Sequence, residues 1–256
     1  MVTVNDILQY LEILAPTSLK MDWDNVGLLC GSKSAKVTKV LVALDPFEGV
    51  CREAADMGAE LIVTHHPLIF QPLPQITDET SIGRAVQMLC ANGISAINAH
   101  TNLDCADGGV NDTLAAKLGL GDVQLVPGDH EQLLRLGQVK AQDLENFLAH
   151  VKKALGCEGL RYVSGGKPVS KVAVGGGSCG SAIPVVAAAG CDTFITADVK
   201  YNQFWDARDL GLNLIDAGHF CTENPIVSVL AEKIAAQFPE IEVKISETHN
   251  DCMKFY

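Results

Sequence analysis

The sequence has no C-x-x-C pair among its nine cysteines, no surplus of Lys and Arg, no long apolar run and no basic-then-apolar start. Each absence excludes something. An odd number of scattered cysteines is not a disulfide framework and reads as reduced thiols. With 19 Lys and Arg against 31 Asp and Glu, the net charge of −12 argues against a nucleic-acid partner, because non-specific binding depends on neutralising phosphates. Nothing approaches the ~18 consecutive apolar residues of a membrane span. The start Met1-Val2-Thr3-Val4-Asn5-Asp6 predicts no signal peptide. A cytoplasmic protein with no membrane partner is expected.

What is present describes a folded α/β protein. At 256 residues the chain can form one large domain or two small ones, and 48% hydrophobic with 20% charged residues is a globular composition. Val4–Leu14 reads as an amphipathic helix capped by Thr3 and closed by Pro16. Strands are expected at Val37–Leu44, Glu60–Thr64 and Ile94–Ala99, alternating with helices at Glu48–Met57, Ser81–Ala91 and Val110–Leu118. After a loop over Gly121–Gly128, strands are expected at Leu133–Val139, Leu160–Val163, Lys171–Val174, Thr193–Thr196, Leu212–Asp216 and Glu242–Ile245. The helices among them are Asp143–Leu155, Ser181–Ala189 and Glu223–Gln237. This alternation predicts βαβ units and mostly parallel sheets in two α/β lobes. The first lobe spans residues 1–125, completed by 218–256, and the second spans 126–217, with a cleft between them. Parallel strands present their carboxyl ends on one edge, where ligand crevices form.

Three strand ends carry metal-type residues. Leu61-Ile62-Val63-Thr64 stops on His65-His66-Pro67; a second end gives His100-Thr101-Asn102-Leu103-Asp104; a third gives Asp216-Ala217-Gly218-His219 with Glu223 four residues on. If a helix starts near Thr222, Glu223 sits in its first turn, where a carboxylate is favoured. Imidazole and carboxylate together suit Zn, Mn, Fe or Ni better than Mg or Ca. The donors exceed the four ligands of a closed zinc site, and suit two metals ~3.5–4 Å apart sharing a carboxylate. His100 is read as a supporting partner of Asp104 or His66, with a backbone-bonded structural role as its alternative. Cys105 and Cys221 flank these residues and are left out of the ligand set. Trp23 and Asp24 either line the cleft or pack. His130, His150 and His249 read as surface residues.

The segment Val174-Gly175-Gly176-Gly177-Ser178-Cys179-Gly180 supports three readings. The first is a tight turn feeding a helix. The second is a dinucleotide-binding turn of the G-x-G-x-x-G type, with Asp198 as the acid at the end of the next strand. The third is a G-x-S-x-G elbow with Ser178 as nucleophile.

Taken together, His65-His66-Pro67-Leu68, His100-Thr101-Asn102-Leu103-Asp104, and His219 with Glu223 resemble the signature of the GTP cyclohydrolase 1 type 2 homologs, the NIF-three-like family. Asp22-Trp23-Asp24-Asn25-Val26-Gly27-Leu28, the Gly175–Gly180 turn and Thr196-Ala197-Asp198-Val199-Lys200-Tyr201 extend the resemblance over most of the chain. The resemblance implies a dinuclear metal centre between two α/β lobes, in a cytoplasmic toroidal homohexamer. It implies two divalent ions per chain, with His65, His66, Asp104, His219 and Glu223 as ligands and Glu223 bridging. Ala197-Asp198 and Asn202 depart from the family pattern, which usually has Gly-Glu or Gly-Asp and a histidine there. The chain also closes on Ser246-Glu247-Thr248-His249-Asn250-Asp251-Cys252 without the family's usual proline. The function expected is a metal-dependent hydrolase, of cyclohydrolase or phosphoesterase type, acting on a small molecule such as a nucleotide. The alternatives are a non-catalytic metal-binding or regulatory scaffold and a dinucleotide-dependent oxidoreductase.

Overall fold

The computed structural model describes residues 1–256. In chain order the first elements are α1 (Val4–Leu14), β1 (Gly27–Cys30), β2 (Lys39–Ala43), α2 (Glu48–Asp56), β3 (Leu61–Thr64), α3 (Ser81–Ala91) and β4 (Ser95–Asn98). There follow α4 (Thr101–Cys105), α5 (Val110–Lys117), β5 (Gly121–Leu125), β6 (Arg135–Gln142), α6 (Leu144–Leu155), β7 (Arg161–Val163) and β8 (Val169–Val174). The last are α7 (Ile183–Ala188), β9 (Thr193–Thr196), α8 (Tyr201–Asp209), β10 (Asn213–Asp216), α9 (His219–Glu223), α10 (Pro225–Gln237) and β11 (Glu242–Ile245). No helix is long and apolar enough to cross a membrane.

The chain divides into two compact units: Met1–Asp107 with Ile226–Asn250, and Gly108–Pro225 with Asp251–Tyr256. The sheet of the first unit runs β1-β4-β3-β2-β11, parallel except for the antiparallel β1–β4 ladder. Its middle strands bury nearly every residue, as a strand covered on both faces must. Leu41, Ile62 and Ala96 pack against Val50, Ala54, Val86 and Leu89 of α2 and α3. Thr3 caps α1 in a reciprocal capping box with Asp6. The tail of this unit is held by Glu53, whose carboxylate accepts from Ser246 Oγ at 2.5 Å, Thr248 Oγ1 at 2.6 Å and Glu247 N at 2.8 Å.

The sheet of the second unit runs β5-β6-β8-β9-β10-β7. Here only β8–β9 and β9–β10 are parallel, and the other three ladders are antiparallel. The fold is mixed α/β with parallel ladders at the centre of each sheet. Phe147 and Val151 of α6 pack with Leu114 and Leu118 against Val172 and Ile195, so α5 and its following residue belong to this core. Asp143 caps α6, and Gly156 in the left-handed region ends it.

Five elements were not legible as such in the sequence. Strand β5 lies in the expected loop 121–128, and each of its residues is exposed, so no alternation of polarity marks it. Strand β1 is a four-residue antiparallel edge. Helix α8 buries only Ala207, which leaves no apolar stripe to read. Helices α4 and α9 are single turns of five residues. The last corrects one expectation: His219 and Glu223 share a helical turn capped by Gly218, and Glu223 ends that turn rather than opening a longer helix.

Candidate metal centre

In the first unit the register of the parallel strands aligns Ala43 with Thr64 and Thr64 with Asn98. Asp45, His65, His66 and His100 lie one or two residues past those ends, so one sheet edge collects them. His65 is fully buried, and its Nδ1 lies 2.9 Å from the carbonyl oxygen of Ala99. His66 Nδ1 lies 2.6 Å from Asp45 Oδ1, and the second oxygen of Asp45 accepts from His249 Nε2 at 2.8 Å. His100 Nδ1 lies 2.8 Å from Asp24 Oδ1, while Asp24 Oδ2 accepts from Thr101 N at 3.0 Å and Thr101 Oγ1 at 2.5 Å.

A carbonyl or a carboxylate only accepts, so each of these three rings carries its proton on Nδ1. In the neutral ring Nε2 then holds the lone pair. This is the arrangement found around metal-binding histidines, where the second ring nitrogen is fixed by an acceptor. One ligand atom from each of His65, His66 and His100 lies within 4.8 Å of the others. Asp104, on the single turn of α4, is buried and brings Oδ1 to 3.5 Å from His65 Nε2.

The supporting carboxylates are ionised. Burial by itself would raise Asp24, but the hydrogen bonds from His100 and Thr101 outweigh it and hold the carboxyl well below the usual range. Asp45 shows the same balance: burial raises it, and hydrogen bonds from His249 and His66 bring it far below.

The second unit repeats the pattern. Asp216 of β10 pairs with Thr196 of β9, so His219 and Asp198 follow neighbouring strand ends. His219 Nδ1 lies 2.7 Å from Asp198 Oδ2, and its Nε2 lies 3.0 Å from Oε2 of the buried Glu223. A lone pair and a carboxylate oxygen at that separation repel unless a proton or a cation stands between them. The same holds for His65 and Asp104. The donors present, imidazole nitrogen and carboxylate oxygen, are those a divalent transition ion takes, so the residues fit a metal.

The glycine turn serves this pair. Gly175 N donates to Ile195 O, Gly176 N to Asn111 Oδ1, Gly177 N to Thr222 Oγ1, and Cys179 N to Thr196 Oγ1. Four amides that a phosphate-binding turn would aim at its ligand are therefore satisfied within the protein. Asp198, the acid of the dinucleotide reading, is engaged by His219. Ser178 is exposed. What the turn supplies is space, since a side chain on Gly177 would collide with Glu223.

Structure and sequence differ over several partners. His249 is not a surface residue: its side chain is 7% exposed and bonded to Asp45. His130 and His150 are exposed as expected, with His150 Nε2 2.9 Å from Leu118 O. His100 stands within the imidazole cluster, with Asp24 in the supporting place. Trp23 is exposed, with its ring centroid 5.8 Å from Phe70 and 6.4 Å from His100. Asn202, where the resembled family has histidine, is exposed on α8. Asp45 was findable, since it lies as far past β2 as His66 lies past β3. His249 had no such signal, because only tertiary folding brings the tail to Asp45.

A family model described as Duf34/NIF3 (NGG1p interacting factor 3) matches residues 2–252. A Clostridium perfringens protein named GTP cyclohydrolase 1 type 2 homolog is 36% identical over 261 residues, covering 98% of this chain and 99% of that relative. The crystal structure of a Bacillus cereus protein related to NIF3 superposes with a TM-score of 0.94 at 24% identity, covering 100% of this chain and 99% of that one. At that identity the likeness shows the fold alone. Staphylococcus aureus protein SA1388 gives a TM-score of 0.91 at 26% identity, with 100% and 99% coverage.

Proposed function

The chain belongs to the Duf34/NIF3 family, and from that premise we propose that it is a dinuclear, divalent-metal-dependent hydrolase acting on a small molecule. The observation that carries the reading is the shared state of four histidines. His65, His66, His100 and His219 each have Nδ1 on a carbonyl or carboxylate, which leaves the lone pair of the other nitrogen to take an ion or a proton. The ligands in this reading are His65, His66, Asp104, His219 and Glu223, holding two ions of Zn, Mn, Fe or Ni per chain. When bound, such ions act as Lewis acids and acidify water near neutral pH.

The residues of the chain do the rest. Asp45 fixes the His66 ring and Asp198 the His219 ring, so ligand geometry is set before any ion arrives. Asp24 orients His100, which holds or moves a proton at Nε2 beside the ligands. The relatives' name, a homolog of a GTP cyclohydrolase, supports a nucleotide as the small molecule, and the assembly in this reading is a cytoplasmic homohexamer.

Elemental analysis of the purified protein is expected to give close to two transition-metal ions per chain. The variants His66→Ala and Glu223→Ala are expected to lose metal while keeping the far-UV spectrum. Metal-loaded protein should then be screened against nucleotides and phosphoesters. Turnover abolished by both variants supports the hydrolase. Failure of every compound with every metal, joined to dissociation of the oligomer in both variants, would replace it with a metal-stabilised scaffold.

A further inference from the structure

Beside the imidazole cluster the first unit contains a cavity of about 440 Å³. That volume is in the range of small-molecule sites. Its walls come from the turn after β2, the loop after β3 and the start of α3. Phe47, Phe70, Leu68 and Ile82 are its large apolar lining residues, and His66 and Asp45 also line it. Phe47 is 63% exposed, Phe70 41% and Ile82 37%, although each is large and apolar. Large apolar side chains exposed together mark binding sites. Phe70 also sits 6.1 Å, centroid to centroid, from His100, and Trp23 packs edge-on against it. Aromatic faces thus run continuously from the cavity to the imidazoles.

The lining offers no uncommitted cation. Asp45 and Glu48 line the cavity, and no Lys or Arg does. The nearby guanidinium of Arg84 is turned onto Glu48, with Nε 2.9 Å from Oε2, and Arg52 donates to the other oxygen at 3.0 Å. The Arg84 hydrogen bond keeps Glu48 below the usual carboxylate range. The amino end of α2 does not offset this, because Glu48 already occupies its first turn. A phosphate tail placed here would lose its water against an apolar wall with both nearby guanidiniums already engaged by Glu48, and that combination disfavours an anion.

We propose that this cavity binds the planar heteroaromatic body of the substrate, edge toward His66, and selects against an anionic group within it. The inference rests on the hydrolase reading for the chemistry and narrows its small molecule from a nucleotide to a nucleoside or base without phosphate, while the binding itself is testable apart from it. Ring stacking on Phe70 and Phe47 supplies the attraction, and Glu48 supplies the discrimination.

The test is calorimetric titration of the purified, metal-analysed protein with guanosine and adenosine, and with GMP and GTP as their anionic counterparts. Expected is guanosine or adenosine binding at least tenfold tighter than the matching phosphate. Ile82→Trp, which fills the cavity from its rim, should weaken nucleoside binding at least tenfold with metal content unchanged. Glu48→Gln should narrow the gap between nucleoside and monophosphate by releasing Arg84 and Arg52. The proposal is overturned if no nucleoside binds, if nucleoside binding survives Ile82→Trp, or if GMP binds tighter than guanosine and loses that binding in Ile82→Trp. Metal retained without nucleoside binding defeats the cavity and leaves the metal centre. Nucleoside binding sensitive to Ile82→Trp in a protein that holds no metal supports the cavity and defeats the hydrolase.

Discussion

A Cβ on Gly177 would stand 2.1 Å from Glu223 Oε1, and 3.1 Å from His219 Nε2. The absent side chain is therefore part of how His219 and Glu223 are placed, and the glycine turn that reads in sequence as a nucleotide motif is explained by that closeness. The backbone there is also left-handed, at φ +63°.

Gly177→Ala should carry two penalties that can be separated. The left-handed backbone costs about 1–2 kcal/mol for a residue with a Cβ, and the clash displaces Glu223. Gly156→Ala provides the control, since Gly156 has φ +69° with nothing within 4 Å of its Cβ position. Both variants should melt a few degrees lower. Only Gly177→Ala should also lose metal affinity, by tenfold or more in a chelator competition. Equal affinity in the two variants would detach Gly177 from the site.

Asp45 divides its carboxylate between His66 and His249, and that makes it a test of how the proposed ligand ring of His66 is held. Asp45→Asn is nearly isosteric but presents a neutral acceptor to His66, and outer partners of metal-binding histidines are worth about 10–100-fold in affinity. A drop in that range, measured by metal titration of chelator-treated protein with its circular dichroism unchanged, is the expected outcome. An unchanged dissociation constant would show that the His66 ring needs no carboxylate to orient it.

How much of this was legible beforehand depended on the distance over which a signal acts. Thr3 and Pro16 bound α1 in the sequence as they do in the structure, because caps and prolines act within a turn. The buried runs at Leu61–Thr64 and Thr193–Thr196 were equally plain. Their register, and with it the gathering of Asp45, His65, His66 and His100 on one edge, follows once the strands are known to be parallel neighbours. The partners of the histidines were less accessible. Asp24 reaches His100 across 76 residues and His249 reaches Asp45 across 204, and no local pattern encodes such pairings. The turn at Gly175–Gly180 misleads for a related reason: a phosphate site and a close approach to Glu223 make the same local demand, a backbone without a Cβ.

The supporting carboxylates also predict how the chain responds to acid. Asp24 and Asp45 are both held below the usual carboxylate range in the folded protein, while the unfolded chain titrates near the ordinary value of about 4. Their folded values are depressed, so the unfolded state binds the extra proton and stability rises with pH in that window. The contribution is fully present above about pH 4 and is lost as pH falls toward the folded values. For chelator-treated protein, urea midpoints measured from pH 5 down to pH 2 should fall. Asp24→Asn should reduce the slope by up to about 1.4 kcal/mol per pH unit, the most that one proton contributes. Thr101→Ala removes one short hydrogen bond to Asp24 and keeps the carboxylate, so it should lower stability near pH 5 and lessen the slope without abolishing it. A wild-type slope that matches Asp24→Asn throughout would mean that Asp24 titrates in the folded protein as it does in the unfolded chain.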